Sequence, residues 1–416
     1  MRDLPKDVPA RPGKIKLIRV RIPKRCICPT CKTKQLFKLN HKRFRLVRDM
    51  SLKEPLLLKV EMTYAKCLNE RCKTKVFSLP IQGIQRYQRA TARLIRESIA
   101  GIIEDNSTCP RISRRLNRIF NTTGSKSSID RWKHKLADKY NLEEIVSKLN
   151  FSGILCIDEY KPKRSQGYDL IDSDARTSRI LYLEQAEGLG RGVVKKHFER
   201  IAQLGIKPYA IIFDMRTCFA KAAKAVFGKK ILIQHDYFHV MKIIHHHLNR
   251  ALGEYRKQLK EQGIDTIDIW EARWIILKNI EDWDLKGHQV MRAILDRYQG
   301  TVIEDILILK QRIREIFLES NSQKEAFLKR DELINEGWHL RSQHFANIRE
   351  FLSKPYFKYV TTYLDHPEIP RSGNSENVVR TWRQMEKVRY GFKSDKGRLD
   401  HLKLYQVSKY LGGRLS

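Results

Sequence analysis

The chain has 416 residues, 41% of them hydrophobic and 31% charged, enough to bury a core in roughly two to four structural units. Its 82 Lys plus Arg against 47 Asp plus Glu leave a formal net charge of +35. That excess favours a polyanion, most simply DNA or RNA, whose phosphates release counterions to Lys and Arg, over a basic protein merely kept soluble by its charge. No basic amphipathic helix or lipidation signal points to a membrane surface. No apolar stretch approaches the ~18 residues that suggest a membrane span. The opening MRDLPKDVPARPGKIK lacks the hydrophobic centre of a secretory signal, so no membrane partner and a cytoplasmic, nucleoid-associated location are expected.

Residues 1–82 form the first expected unit. Cys28-Pro-Thr-Cys31 and Cys67-Leu-Asn-Glu-Arg-Cys72 flank strand-like segments, Leu36 to Leu39 and Leu56 to Val60. Two cysteine pairs on turns can set four thiolates tetrahedrally around Zn²⁺, as in a zinc-ribbon-like module. So small a unit has little core, and the metal would supply much of its folding free energy. Cys26 is a competing ligand, and free thiols in a basic β-module are the alternative.

Residues 83–148 read as helices. Ile95, Ile99, Ile102 and Ile103 make one apolar stripe, and Ile112, Leu116, Ile119 and Phe120 make a second after Pro110. The turn Asn121-Thr122-Thr123-Gly124 leads to a third helix, capped by Ser127 or Ser128, with Ile129, Trp132 and Leu136 inward. Lys126, Arg131, Lys133 and Lys135 are left for solvent. This is the outline of a helix-turn-helix offering four cations to DNA, although any small three-helix bundle looks similar.

From 149 to 240 the pattern is mixed α/β. Gly153 to Asp158 is apolar on both faces, as a central strand requires, and Tyr168 to Asp172 and Ile180 to Leu183 flank a hairpin. A helix near 191–204 leads to the strand Tyr209 to Asp214, and the helix Ala220 to Phe227 leads to Lys230 to Gln234. The order indicates a mixed sheet with crossover helices. Residues 241–368 read as an all-helical insertion, with Val240, Ile244, Leu248 and Leu252 at spacing four. Pro367 to Gly373 breaks that pattern before a basic helix in the last part, 369–416.

Asp158 and Asp214 each end a strand on what can be one edge of an open sheet, where α/β folds place their sites. Gathered carboxylates repel unless a cation neutralises them, and Mg²⁺ or Mn²⁺ suits oxygen donors. Two such ions about 4 Å apart can activate an attacking oxygen and stabilise a leaving one at a phosphodiester. Against this, Asp commonly follows strands because it starts turns and caps helices. Glu159 points to the opposite side by the two-residue period, and Asp172 and Asp174 read as solvated hairpin residues. Glu376 opens a helix whose Arg380 and Arg383 share its face, with Lys387 one turn on. Asp236 and His239 stand where a strand enters a helix, able either to shape the site or simply to cap it. His245-His246-His247 falls on different helix faces and reads as structural.

In order, these motifs resemble the DDE transposases of insertion sequences, specifically the ISL-three group. Ile157-Asp158-Glu159, Phe213-Asp214-Met215 and Asp236-Tyr237-Phe238-His239-Val240 carry the likeness, with Ser372 to Glu376 and Tyr390-Gly391-Phe392. Ser-Gly-Asn-Ser-Glu departs from the commoner Ser-Asn-Gly pattern. The resemblance implies a multidomain α+β chain whose RNase H-like domain is interrupted by the helical insertion. It also implies a catalytic triad Asp158, Asp214 and Glu376 on Mg²⁺, site-shaping Asp236 and His239, and phosphate contacts from Arg380, Arg383 and Lys387. The implied partners are double-stranded DNA with terminal inverted repeats and target DNA, handled by a homo-oligomer, a dimer or larger. The alternatives are a catalytically inactive DNA-binding regulator and a structure-specific RNase H-like nuclease.

Overall fold

The computed structural model describes residues 14–18, 26–53, 55–81, 83–84, 88–122, 124–148, 150–163, 165–389 and 391–411. Tyr390 of the Tyr-Gly-Phe element and the first 13 residues lie outside the described residues. Two compact units result, residues 1–142 with 383–416, and residues 143–382.

The first unit holds a four-stranded sheet. The strands β2 (Leu36–Asp49) and β3 (Leu56–Cys67) pair antiparallel. On the other edge of β3, β1 (Lys14–Ile18) runs parallel along Leu56 to Val60 and β4 (Val76–Ser78) antiparallel along Tyr64 to Lys66. Val47, Leu58, Val60 and Ile84 form a small core below it.

Three helices follow: α1 (Ala92–Ile103), α2 (Cys109–Phe120) and α3 (Lys126–Ala137). Thr91, Thr108 and Ser125 cap them by accepting from Leu94 N, Arg111 N and Ser128 N. The cap of α3 is thus Ser125, not Ser127 or Ser128. Asn121 ends α2 in the left-handed region, φ 47°. Leu94, Ile99, Ile102, Ile112, Leu116, Ile129, Trp132 and Leu136 fill the bundle, whereas Ile119, expected inside, is exposed. Residues 383–416 were expected with the domain of Glu376. Those from 383 on group instead with the bundle, because Leu404 of the helix Asp395–Tyr410 enters its core.

The second unit begins with the short helix α4 (Leu142–Val146) and a five-stranded sheet. Its strands are β5 (Ile154–Tyr160), β6 (Tyr168–Asp174), β7 (Ile180–Ala186), β8 (Ala210–Phe213) and β9 (Leu232–His235), in the spatial order β7-β6-β5-β8-β9. The first three are antiparallel neighbours, while β8 and β9 run parallel to β5. Parallel pairing needs crossovers, supplied by α5 (Arg191–Gln203) and α6 (Thr217–Phe227). Both helices cover one face, where Leu155, Ile157, Leu170, Ile211, Phe213 and Ile233 meet Val194, Phe198, Ile201 and Phe219.

The helical part comprises α7 (Tyr237–Glu261), α8 (Ile267–Leu277), α9 (Leu285–Arg297), α10 (Val302–Leu318), α11 (Gln323–Asn335) and α12 (Gln343–Leu352), followed by the one-turn α13 (Phe357–Val360) and α14 (Thr362–Asp365). Val240, Ile244, Leu248 and Leu252 of α7 lie in its core, at the predicted spacing. Lys310 of α10 is buried there and donates to the carbonyls of Ile276 and Lys278, closing the end of α8. Burial pushes its ammonium down to about 8. The chain then returns to the sheet and enters α15 (Ser375–Val388). No helix among the described residues is long and apolar enough to cross a membrane.

Candidate active site and cysteine cluster

Strand alternation places the acids. On β5, Ile154, Cys156 and Asp158 share one face; β8 pairs in register so that Ala210 and Ile212 share it, and Asp214 comes next. On β9, Gln234 sits opposite Ile212, and Asp236 follows two residues on. Three parallel strands therefore carry an acid each towards one edge, Asp158 late in β5, Asp214 directly after β8 and Asp236 directly after β9. Asp236 then caps α7, its Oδ1 accepting from Phe238 N at 2.8 Å, and His239 stands in the first turn.

Glu376 arrives from the far side of the helical part, and residues 360–374 are stitched to the sheet along the way. The buried amide of Gln234 donates to Val360 O (2.9 Å) and Arg371 O (3.4 Å), and its Oε1 accepts from Tyr363 N (3.1 Å). Tyr237 N donates to Arg371 O at 3.1 Å, Gly373 N to Asp236 Oδ2 at 3.2 Å, and Asn374 Nδ2 to Ala175 O at 2.7 Å. Ile369 packs on the sheet's second face beside Ile154, Cys156, Ala210 and Ile212. Sequence reasoning missed Gln234 and Asn374. The signal for the first was present: a lone amide in an otherwise apolar strand requires buried partners.

One ligand atom each from Asp158, His239 and Glu376 lies within 4.8 Å of the others. Asp214 stands outside that mutual set but touches it, its Oδ2 lying 3.1 Å from His239 Nδ1, while His239 Nε2 is 3.7 Å from Glu376 Oε2. Burial raises Asp158 to about 7, with Glu159 and Glu376 adding to the shift and His239 opposing it. Burial would raise Asp214 too, but the hydrogen bond and charge of His239 outweigh it and hold this carboxyl below its ordinary range. His239 is raised to about 9 by that hydrogen bond, against burial, with the charges of Asp214, Asp236 and Asp158 helping. Acids thus gather around His239, and their carboxylate oxygens are the donors a hard divalent cation prefers.

The neighbouring acids have other partners. Glu159 faces the other side and pairs with Arg216 Nε at 2.5 Å. Asp172 and Asp174 are buried rather than solvated. Asp172 shares the face of Leu170 beneath α5 and lies 2.8 Å from His197 Nε2, while Asp174 accepts the backbone N–H groups of Ser152, Arg176 and Thr177.

In the first unit, Cys28, Cys31, Cys67 and Cys72 bring their sulfurs within 4.8 Å of one another, with Cys28 to Cys72 at 3.7 Å and Cys31 to Cys67 at 3.6 Å. Burial raises Cys67 to about 12. At Cys28 the backbone N–H groups of Cys31 and Thr30 overcome burial and lower the thiol to about 6. Four sulfurs around one point suit a tetrahedral, thiophilic ion. Lys126, Arg131 and Lys135 are exposed on α3, and Arg380, Arg383 and Lys387 on α15. Lys133 is not exposed: it donates to Gly397 O at 3.3 Å and pairs with Asp130 at 3.0 Å, because the C-terminal helix covers that flank of α3.

Among solved structures, the chain is similar to the Drosophila P element transposase strand transfer complex, with 10% identity and a TM-score of 0.29 over 79% of this chain and 82% of that one. So low a score establishes neither fold nor function. No curated protein matches the chain. The family model described as Transposase, of the ISL-three DDE type, matches residues 155–396, more than half of the sequence. The chain belongs to that transposase family.

Proposed function

We propose that the protein cuts and joins DNA at the terminal inverted repeats of an insertion sequence, using Asp158, Asp214 and Glu376 as a metal-holding triad. The observation that carries this reading is the approach of Asp158, His239 and Glu376 within 4.8 Å from three remote segments of a transposase-family chain. The strand order β7-β6-β5-β8-β9, with Asp158 late in the central β5 and Asp214 directly after its neighbour β8, supports an RNase H-like assignment. Helices α1 to α3 support a helix-turn-helix, and the four-sulfur cluster supports a structural Zn²⁺ site.

Mg²⁺ held by the three carboxylates would activate the attacking oxygen and neutralise charge at the phosphate. Asp236 holds the first turn of α7 and Gly373 together, which fixes His239 and Glu376 relative to the strands. His239 in turn orients Asp214 through Nδ1. Arg380, Arg383 and Lys387 contact phosphates of the strand being cut, and Lys126, Arg131 and Lys135 those of the repeat. Water is the nucleophile in cleavage and the freed 3′-hydroxyl in joining; in each step one P–O bond forms and one breaks. Bringing two ends together requires at least two copies of the chain.

The test is a strand-transfer assay on the DNA flanking the gene, with Mg²⁺, for wild type, Asp158→Asn, Asp214→Asn and Glu376→Gln. Wild type should yield joined product and each variant none. Sequence-specific binding without cleavage by wild type, or cleavage by DNA shape without joining, would refute the reading.

A further inference from the structure

The helix α8 has two apolar sides. Ile269, Ala272 and Ile276 enter the core, while Ile267, Trp270 and Trp274 lie on the outside, Trp270 being 51% and Trp274 70% exposed. Exposed tryptophans one turn apart are a costly surface to maintain without a ligand.

Two arginines complete the surface. The Arg256 guanidinium lies 4.6 Å from the ring centroid of Trp270, and Arg273 lies 5.5 Å from Trp270 and 4.6 Å from Trp274. Arg256 donates through Nε to Thr266 Oγ1 (3.2 Å) and Arg273 through Nε to Asn249 Oδ1 (3.0 Å). Both are therefore fixed by neutral oxygens, and among the described residues neither forms an ion pair with a carboxylate. A cavity of about 180 Å³ opens beside Arg256, Trp270 and Arg273.

Alternating, pre-ordered guanidinium and indole groups with uncompensated charge match a nucleotide with its base unstacked. Any base has a π-face for an indole, and Arg takes the adjoining phosphate. An apolar protein partner would leave two cations desolvated and unpaired, which is unfavourable. We propose that Trp270, Trp274, Arg256 and Arg273 form a binding site for an unpaired nucleotide of single-stranded DNA on the helical insertion. The site does not depend on the carboxylate triad and should work without divalent metal.

The experiment uses the full chain with its zinc retained, in buffer without added divalent metal. Fluorescence anisotropy compares an oligothymidylate with a blunt duplex of equal length, and tryptophan quenching reports stacking. Trp274→Ala should weaken oligothymidylate binding about tenfold, the order of one base-stacking contact, and leave duplex affinity unchanged. Trp274→Phe, which keeps a stacking ring, should restore most of the loss, and Arg273→Gln should reduce the salt dependence of oligothymidylate binding. Because Trp274 is mostly exposed, these variants should fold, and equal melting temperatures check it. Unchanged oligothymidylate affinity in Trp274→Ala would overturn the proposal. So would equal losses for both DNAs, or a change in oligomeric state with single-strand binding intact. Loss of strand transfer in the triad variants with single-strand binding unaltered would leave both readings standing, so the two can fail separately.

Discussion

Gln234→Leu removes the amide that holds residues 360–371 to β9 without greatly changing side-chain volume. Tyr363 N loses its acceptor and Val360 O loses a donor, both within the fold, whereas Arg371 O keeps Tyr237 N. An unpaired buried polar group costs about 1–3 kcal/mol, so the loss should be about 2–5 kcal/mol in the unit containing residues 143–382. The same bonds fix the segment that delivers Glu376, so the variant should also bind Mn²⁺ more weakly, with metal binding by the four cysteines unchanged. Urea unfolding followed by fluorescence gives the first quantity, and calorimetric titration of metal the second. A variant within about 0.5 kcal/mol of wild type, with unchanged Mn²⁺ affinity, would refute the idea that Gln234 tethers this segment.

Other consequences are equally direct. Cys72→Ser should lower bound zinc and melt the module of β1 to β4; full zinc content in the variant would remove the metal assignment. Lys133→Met should reduce stability by about 1–3 kcal/mol with duplex affinity unchanged, whereas Lys135→Ala should weaken duplex binding and reduce the salt slope by about one. The opposite pattern would mean that Lys133 faces DNA after all. Lys310 supplies a pH test. Its folded value of about 8 lies below the ordinary lysine range near ~10.4, so below pH 8 the buried charge penalises the folded state in full. Between these values the unfolded chain still holds a proton the folded chain has released. Wild type should therefore gain stability over Lys310→Met as pH rises through that window, by up to about 3 kcal/mol. A stability difference independent of pH would contradict the burial argument.

How much of the fold and site is legible in the sequence depends on the range of each interaction. The strands that carry Asp158 and Asp214 are visible because each is a short, local apolar run, although β5 continues past Asp158 to Tyr160. The spacing of Val240, Ile244, Leu248 and Leu252 marks the buried face of α7 for the same reason. Asp172 reads as solvated although its phase with Leu170 already puts it on the covered face; what the local pattern lacks is His197, on a helix two elements later. Lys133 cannot be placed from its surroundings in sequence, since the helix covering it lies more than 260 residues onward. Glu376 can be given a helix but no position: its location depends on Gln234, Asp236 and Ala175, none of them near it in sequence. Helix α8 is opaque because apolar residues lie on two of its sides, so the pattern has no single readable phase.

The central claim is that one acid late in β5 and another at the start of α15 share a metal ion. Calorimetric titration of Mn²⁺ into wild type, Asp158→Asn and Glu376→Gln, each with its zinc in place, measures it directly. The account predicts saturable binding to wild type and a large loss of affinity in both variants, with zinc content equal in all three. Wild-type Mn²⁺ affinity in Glu376→Gln would contradict it.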